Sequence, residues 1–254
     1  MYPAARPRCE VLGTPVDTVS EADVLRCVER AVTERAVIRI ATVNVEYVML
    51  ARRLPAFAAV LCHADVATPD SAGILWALRR QGVSLKRRVG GSDLLWSISG
   101  QASSAGHSLF LLGGAGGVAE AAADALKARF PALKVVGFYS GSPDAQCDDD
   151  IAGLVRQSGA DILFVAFGAP NQDFWLARNL VSTGACVGLG IGGSLDYAAG
   201  VAHRAPPWMR EHGMEWLWRL VLQPSRWRRM LALPRFVIAV LAESRPAANE
   251  RNNV

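Results

Sequence analysis

Residues 107–130 read HSLFLLGGAGGVAEAAADALKARF, and this stretch decides the fold. HSLFLL is an uninterrupted apolar run of strand length, GGAGG is a turn, and VAEAAADALKARF has the period of an amphipathic helix. A strand that is apolar along its whole length is covered on both faces, as in a parallel sheet with crossover helices. The same alternation runs outward in both directions. AVIRIA (36–41), KVVGFY (134–139), DILFVAFG (161–168) and CVGLGIGG (186–193) read as further β-rich runs. Helical patterns lie between them, around 45–53, in SAGILWALRRQG (71–82) and in SDLLWSISGQA (92–102). The expected fold class is therefore α/β, a Rossmann-like, mostly parallel sheet with helices on both faces.

Length and composition agree with a folded chain. The 254 residues are 51% hydrophobic and 20% charged, enough to bury a sizeable core. MYPAARPRCEVLGTPVD has no apolar core of a secretory signal, and the apolar run 236–242 is far short of the roughly 20 residues needed to span a bilayer. Cys9, Cys27, Cys62, Cys147 and Cys186 are scattered and odd in number, which reads as reduced thiols and not as a disulfide framework or zinc site.

The net charge of +4 is uneven. Between Arg204 and Arg235 seven arginines face two glutamates, a net of +5, so the remainder of the chain sums to −1. Trp208, Trp216, Trp218 and Trp227 lie in the same stretch. The expected division is an α/β core over 1–203, a basic, Trp/Arg-rich helical appendage over 204–243, and a disordered tail over 244–254. If the residues after Pro224 are helical, Trp227, Met230 and Leu231 share one face and Arg226, Arg228 and Arg229 take the other. That is the pattern of an interfacial helix, with aromatics at headgroup depth and arginines toward anionic lipid. A helix docked on the body with a solvated basic face gives the same pattern.

In open α/β sheets, ligands sit beyond the carboxyl ends of the strands. The residues there are Thr42 and Asn44, Pro69 and Asp70, Gly113–Gly117, Gly168–Gln172 and Gly192–Asp196. Gly114-Ala-Gly116-Gly-Val-Ala119 is a G-x-G-x-x-A between strand and helix, either a diphosphate cradle or a tight turn. A dinucleotide fingerprint also needs a carboxylate at the end of the next strand, and KVVGFYSG has none, which disfavours nicotinamide. Asp148-Asp149-Asp150 has the D-x-D spacing of a metal site but opens a helical pattern, where N-capping explains it. His63, His107, His203 and His212 show no ligand pairing, so no metal and no cofactor is expected. Asp70 precedes a helix, as an N-cap or as a general base at the sheet edge. Thr42 and Asn44 are caps or polar contacts, Arg87 and Arg88 are surface or an anion clamp, and Gln172 is solvated or reads a ligand hydroxyl.

The ordered set TVN (42–44), PDSAG (69–73), RRVGGSDL (87–94), FLLGG (110–114), GAPNQD (168–173), IGGSLDYAAG (191–200), RAPPWM (204–209) and EWLWRL…QPSRWRR (215–229) resembles the WecG/TagA/CpsF family of bacterial glycosyltransferases, over about residues 11–241. The resemblance implies an inverting, metal-independent transfer of a sugar (N-acetylmannosamine-type, its uronic acid, or a hexose) from UDP to a polyprenyl-diphosphate-linked sugar. The product would feed cell-surface or exopolysaccharide synthesis, and the enzyme would sit peripherally on the cytoplasmic face of the bacterial inner membrane. It implies Asp70 as general base, Thr42 and Asn44 beside it, and Arg88 and Gln172 in the pocket. Arg219, Arg226 and Arg229 match the family's C-terminal arginines, which close over the donor's diphosphate and meet the membrane. From the residues themselves, the glycine turn with Gly113 and Gly114 is a candidate helper at the diphosphate, and the amphipathic pattern puts Trp227, Arg228 and Met230 at the membrane. Departures from the family pattern are Ser71 for a glycine, Asn171 and Asp173 for lysine and glutamate, and Ser194-Leu195 before Asp196; all bear on which sugar is carried. Two other readings compete: a nucleotide-dependent oxidoreductase on a Rossmann-like sheet, and a nucleic-acid-binding protein using the basic tail. The anionic membrane surface is an expected partner, nucleic acid is not, and a homo-oligomer is compatible with the sequence.

Overall fold

The computed structural model describes residues 7–206, 208–209, 215–222 and 231–243, with Glu215 and Arg219 described by backbone alone. The chain opens with a hairpin, β1 (Arg8–Val11) and β2 (Thr14–Asp17), closed by Leu12 and Gly13 at φ +51° and +79°. Positive φ at both turn residues matches the right-handed twist of the two strands. Then follow α1 (Glu21–Thr33), β3 (Ile38–Val43), α2 (Val45–Ala51), α3 (Pro55–Cys62), β4 (Val66–Pro69), α4 (Ala72–Arg80) and α5 (Gly91–Ala105). The second half runs β5 (Ser108–Gly113), α6 (Val118–Arg129), β6 (Lys134–Tyr139), α7 (Asp148–Ser158), β7 (Ile162–Ala166), α8 (Asn171–Thr183), β8 (Val187–Gly190) and α9 (Ser194–Ala198). The described C-terminal helices are α10 (Glu215–Leu222) and α11 (Ala232–Ala242).

Six strands form one parallel sheet in the order β4-β3-β8-β7-β5-β6. The expected α/β class holds, with every pairing within this sheet parallel. On one face α1, α5, α6 and α9 bury Val28, Leu95, Ile98, Ala122 and Leu195 against Ile40, Leu111 and Phe164. On the other, α2, α3 and α4 cover Ala41, Val43 and Ala67, while α7 and α8 cover Phe110, Leu163 and Val165. β5 leads through α6 to β6, and its neighbour β7 leads through α8 to β8 on the opposite face. Between β5 and β7 the chain directions diverge, which opens a crevice at their carboxyl ends.

β4 is a short edge strand, and its free edge is built over. The buried Asp17 carboxylate takes a bidentate bond from Arg8 (Nε 2.7 Å, Nη2 2.9 Å) and a bond from the Ala67 amide at 2.7 Å. Beyond it, Thr68 Oγ1 donates to the Val89 carbonyl (2.8 Å) and the Val89 amide to the Pro69 carbonyl (2.9 Å). These bonds satisfy an edge that would otherwise be exposed, and they lay the 88–91 segment alongside residue 70.

The sequence reading placed residues 204–243 in an appendage; within that span, α11 packs on the body. Its Phe236 and Val240, four residues apart on one face, are buried in the cluster that holds α2 and α4. The Phe236 ring lies 6.5 Å from Trp76 between centroids. Phe236→Ala is expected to lower unfolding free energy by about 3–5 kcal/mol, read by denaturant titration. A loss within about 0.5 kcal/mol, the range of ordinary surface substitutions, would show that α11 is not part of the core.

Candidate active site

Asp70 follows β4 directly, and its amide donates to the Val43 carbonyl at 2.8 Å, so its backbone is fixed at the carboxyl edge of the sheet. Either cap or base was open to it from sequence. The cap of α4 is Ser71, whose Oγ accepts from the Ile74 amide at 3.2 Å. The serine that departs from the family glycine therefore takes the capping role, and the Asp70 carboxylate turns elsewhere. Its Oδ1 accepts from Arg88 Nη1 at 3.2 Å, and its Oδ2 faces the Gly91 amide at 3.4 Å. Gly90 and Gly91 begin α5, so the carboxylate stands against that helix's N-terminus and its positive potential. A Cβ on Gly90 would stand 2.2 Å from Asp70 Oδ1 and 2.9 Å from Arg88 Nη1. Only glycine leaves room for this carboxylate. Both charged side chains keep some solvent contact, 18% for Asp70 and 21% for Arg88.

Thr42 and Asn44 end β3 beside Asp70, but their described bonds point elsewhere. Thr42 Oγ1 donates to the Gly190 carbonyl (3.3 Å), and Asn44 Oδ1 caps α2 by accepting from the Tyr47 amide (3.1 Å). Gln172 is neither solvated nor at the surface. Its Nε2 donates to Tyr47 Oη (2.9 Å), its Oε1 accepts from the Gly192 amide (2.9 Å), and it is 2% exposed. It is an internal strut that fixes the turn after β8, next to Thr42 and Gly91.

Tyr47 Oη in turn donates to Asp173 Oδ2 at 2.8 Å. Burial raises the Asp173 carboxyl to about 7, with the Tyr47 bond and Arg39 pulling the other way. Burial, then the Asp173 charge, pushes the Tyr47 phenol well up. With a folded pKa above the unfolded 3.8, the folded state holds the extra proton, so stability falls as pH rises from about 4 through 7. Asp173→Asn is therefore expected to raise the melting temperature by several degrees at pH 8 and hardly at pH 4, a difference on the order of 4 kcal/mol. Parallel pH–melting curves for the two proteins would refute this. No local sequence signal marks Tyr47 and Asp173 as partners, because they come from separate helices.

Gly113 and Gly114 stand at the β5–β7 crevice with φ +104° and +80°. A Cβ on Gly113 would meet the Ala166 carbonyl carbon at 2.7 Å, and Gly114 donates to the Ala166 carbonyl at 3.2 Å. Four strand-to-strand steps separate this turn from Asp70, roughly 19 Å, too far for both to touch the same group. Asp148 to Asp150 lie in the first turn of α7 without a side-chain capping bond, a correction to the expected cap. Asp148 instead pairs with Arg178 (Nε–Oδ2 2.7 Å, Nη2–Oδ1 3.2 Å), while first-turn charge still suits the helix dipole. Arg219 is described by backbone only, within α10. Arg226, Trp227, Arg228, Arg229 and Met230 lie outside the described residues. Among the described residues no helix is long and apolar enough to cross a membrane.

A carboxylate fixed at a sheet edge, paired with a guanidinium and facing the Gly91 amide, suits proton removal next to a phosphorylated substrate. The sequence profile of the Glycosyl transferase WecG/TagA/CpsF family matches residues 9–250. The chain belongs to this family. Curated relatives include the N-acetylglucosaminyldiphosphoundecaprenol N-acetyl-beta-D-mannosaminyltransferase of Bacillus spizizenii, 34% identical over 82% of this chain and 80% of that one. The protein of the same name from Bacillus subtilis is 30% identical over 81% and 80%. That of Staphylococcus aureus is 26% identical over 94% of both chains. Membership in a glycosyltransferase family sets aside the oxidoreductase and nucleic-acid readings. Gly90, Gly91, Tyr47 and Asp93 were not singled out as site residues from sequence, although Gly90, Gly91 and Asp93 lie in the quoted RRVGGSDL, and Asp173 was marked only as a departure bearing on the sugar.

Proposed function

We propose that the protein transfers an N-acetylmannosamine-type sugar from a UDP donor to a polyprenyl-diphosphate-linked N-acetylglucosamine, with inversion and without a metal. The observation that carries the reading is the Asp70 carboxylate, held by Arg88 and the α5 N-terminus while Ser71 does the capping. An acceptor hydroxyl gives its proton to Asp70, its oxygen bonds the anomeric carbon, and the bond from that carbon to the UDP oxygen breaks. One carboxylate acting as base on a direct attack gives a single displacement, which inverts the centre. Arg88, with Arg219, Arg226 and Arg229 from the C-terminal segment, meets the charge on the departing diphosphate. The glycines at 113–114 contact a more distant part of the donor. Gln172 acts through the Gly192 turn, and Thr42 and Asn44 shape the floor beside the base. The choice of acceptor and sugar class is supported by the relatives' names.

The test is a panel of UDP-N-acetylmannosamine, UDP-N-acetylglucosamine and UDP-glucose against a GlcNAc-diphospholipid, with and without EDTA. Transfer from the N-acetylmannosamine donor at a rate indifferent to EDTA is expected. No transfer from any donor, or abolition by EDTA, would overturn the scheme.

Peripheral membrane contact belongs to the same reading. Trp208, Trp216, Leu217, Val221 and Leu222 are exposed apolar side chains, and in sequence they precede the basic stretch Arg226 to Arg229. Large exposed apolar groups next to arginines suit an anionic bilayer surface. Replacing Trp216, Val221 and Leu222 by serine is expected to reduce sedimentation with anionic liposomes; unchanged sedimentation would refute the contact.

A further inference from the structure

Asp93 and Arg204 have no part in the scheme so far, yet they continue the row that starts at Asp70. Asp93 lies in the first turn of α5, next to Leu94 and Leu95, which are fully buried, so its carboxylate projects from a fixed backbone. Its Oδ2 is 3.7 Å from Arg88 Nη2, and its Oδ1 is 2.7 Å from Arg204 Nη2. With Arg88 Nη1 on Asp70 Oδ1, the four side chains alternate in sign: Asp70, Arg88, Asp93, Arg204. An aspartate in a first helical turn is ordinarily explained by the helix dipole. The dipole gives no reason for its two oxygens to serve arginines from two separate segments.

The arginine at the far end sits where the chain leaves α9 for the C-terminal segment. One residue before it, the His203 carbonyl accepts from Trp218 Nε1 of α10 at 3.0 Å. Ion pairs thus run from Asp70 through Arg88 and Asp93 to Arg204, and the backbone of the neighbouring His203 carries the link on to α10. Arg88 thus has a hydrogen bond to Asp70 on one terminal nitrogen and an ion pair with Asp93 on the other, and charge on both sides restricts how far the guanidinium swivels.

We infer that Asp93 is a positioning residue that holds the Arg88 guanidinium against Asp70 and, through Arg204, latches the C-terminal segment to the rim of the site. The kinetic half of this inference rests on the proposed glycosyl transfer, and the structural half does not. Arg88 can turn toward an arriving diphosphate while Asp93 keeps it tethered. Arg204 keeps α10 at the rim of the same site.

The experiment uses the full chain as Asp93→Asn, Arg204→Ala, Arg204→Lys and the double variant Asp93→Asn/Arg204→Ala. Hydrogen exchange is followed over 215–222, alongside steady-state kinetics with the UDP-sugar. Asp93→Asn and Arg204→Ala are each expected to speed exchange in α10 and to raise the donor KM on the order of 10-fold, more than they lower kcat. Arg204→Lys should restore most of both. Because the two residues act through one contact, the double variant should be no worse than the poorer single variant. Additive losses, or exchange in α10 that neither single variant changes, would overturn the latch. A general loss of stability would show as exchange rising throughout the sheet and a failure of Arg204→Lys to rescue, which also overturns it. Absence of transfer by the unmodified protein would remove the glycosyl-transfer reading, while the exchange result would still decide the latch.

Discussion

Asp70→Asn is expected to lower turnover by about 10²–10⁴-fold, the usual contribution of a positioned general base, with the melting temperature little changed. Asparagine keeps the shape of the side chain and can still accept from the Gly91 amide, but it cannot take a proton from an acceptor hydroxyl. The fold does not depend on the charge, since the α4 cap is Ser71 and the backbone of residue 70 is held by the Val43 carbonyl. Asp70→Ala should lose as much. Near wild-type turnover in either variant, measured with saturating donor and acceptor, would move the base elsewhere.

Gly90→Ala is the second large effect, and it acts through space alone. Gly90 has φ −104° and ψ 153°, a conformation open to alanine, so the backbone is not strained by the change. The added methyl carbon would stand 2.2 Å from Asp70 Oδ1. The carboxylate has to rotate away, and in doing so it leaves both Arg88 and the Gly91 amide. Misplacing a reacting group by about 1 Å costs roughly 10²-fold, and that is the loss expected in kcat, with circular dichroism and melting temperature preserved. A near wild-type rate would mean that the carboxylate orientation seen here is not the working one.

Much of the sheet was legible because its buried strands are continuous apolar runs. β5, β6, β7 and β8 fall within the segments 107–112, 134–139, 161–168 and 186–193 to a residue or so, and β3 starts within 36–41 and runs to Val43. β4 was not, since Val-Ala-Thr-Pro is too short to show a period and follows α3 after three residues. The N-terminal hairpin escaped for the same reason, and its weight lies in long-range bonds such as Asp17 to the Ala67 amide. α11 was obscured by charge: Arg235 sits beside Phe236, and only packing shows that Phe236 and Val240 face the core.

In the site, sequence order was enough to put Asp70 at the sheet edge, but not to separate cap from base, because both roles place an aspartate just ahead of a helix. The Ser71 hydroxyl on the Ile74 amide is what separates them. Gln172 read as a pocket residue by position, yet burial and the partners Tyr47 and Gly192 make it a support for the turn. The pairs Asp93–Arg204 and Tyr47–Asp173 were silent because each joins residues more than a hundred positions apart, and Asp173, read as bearing on the sugar, is buried against Tyr47. Gly90 was visible as a letter in RRVGG, but the reason for it, the oxygen of Asp70 in the place of its missing Cβ, exists only in three dimensions.

The most direct test of the account is the anomeric configuration of the bond made from an α-linked UDP-N-acetylmannosamine on a GlcNAc-diphospholipid, read by NMR coupling constants for the unmodified protein and for Asp70→Asn. The account predicts a β-linked disaccharide from the unmodified protein and only trace product from the variant. An α-linked product would contradict the single displacement, and a β-linked product made equally fast by Asp70→Asn would contradict the base.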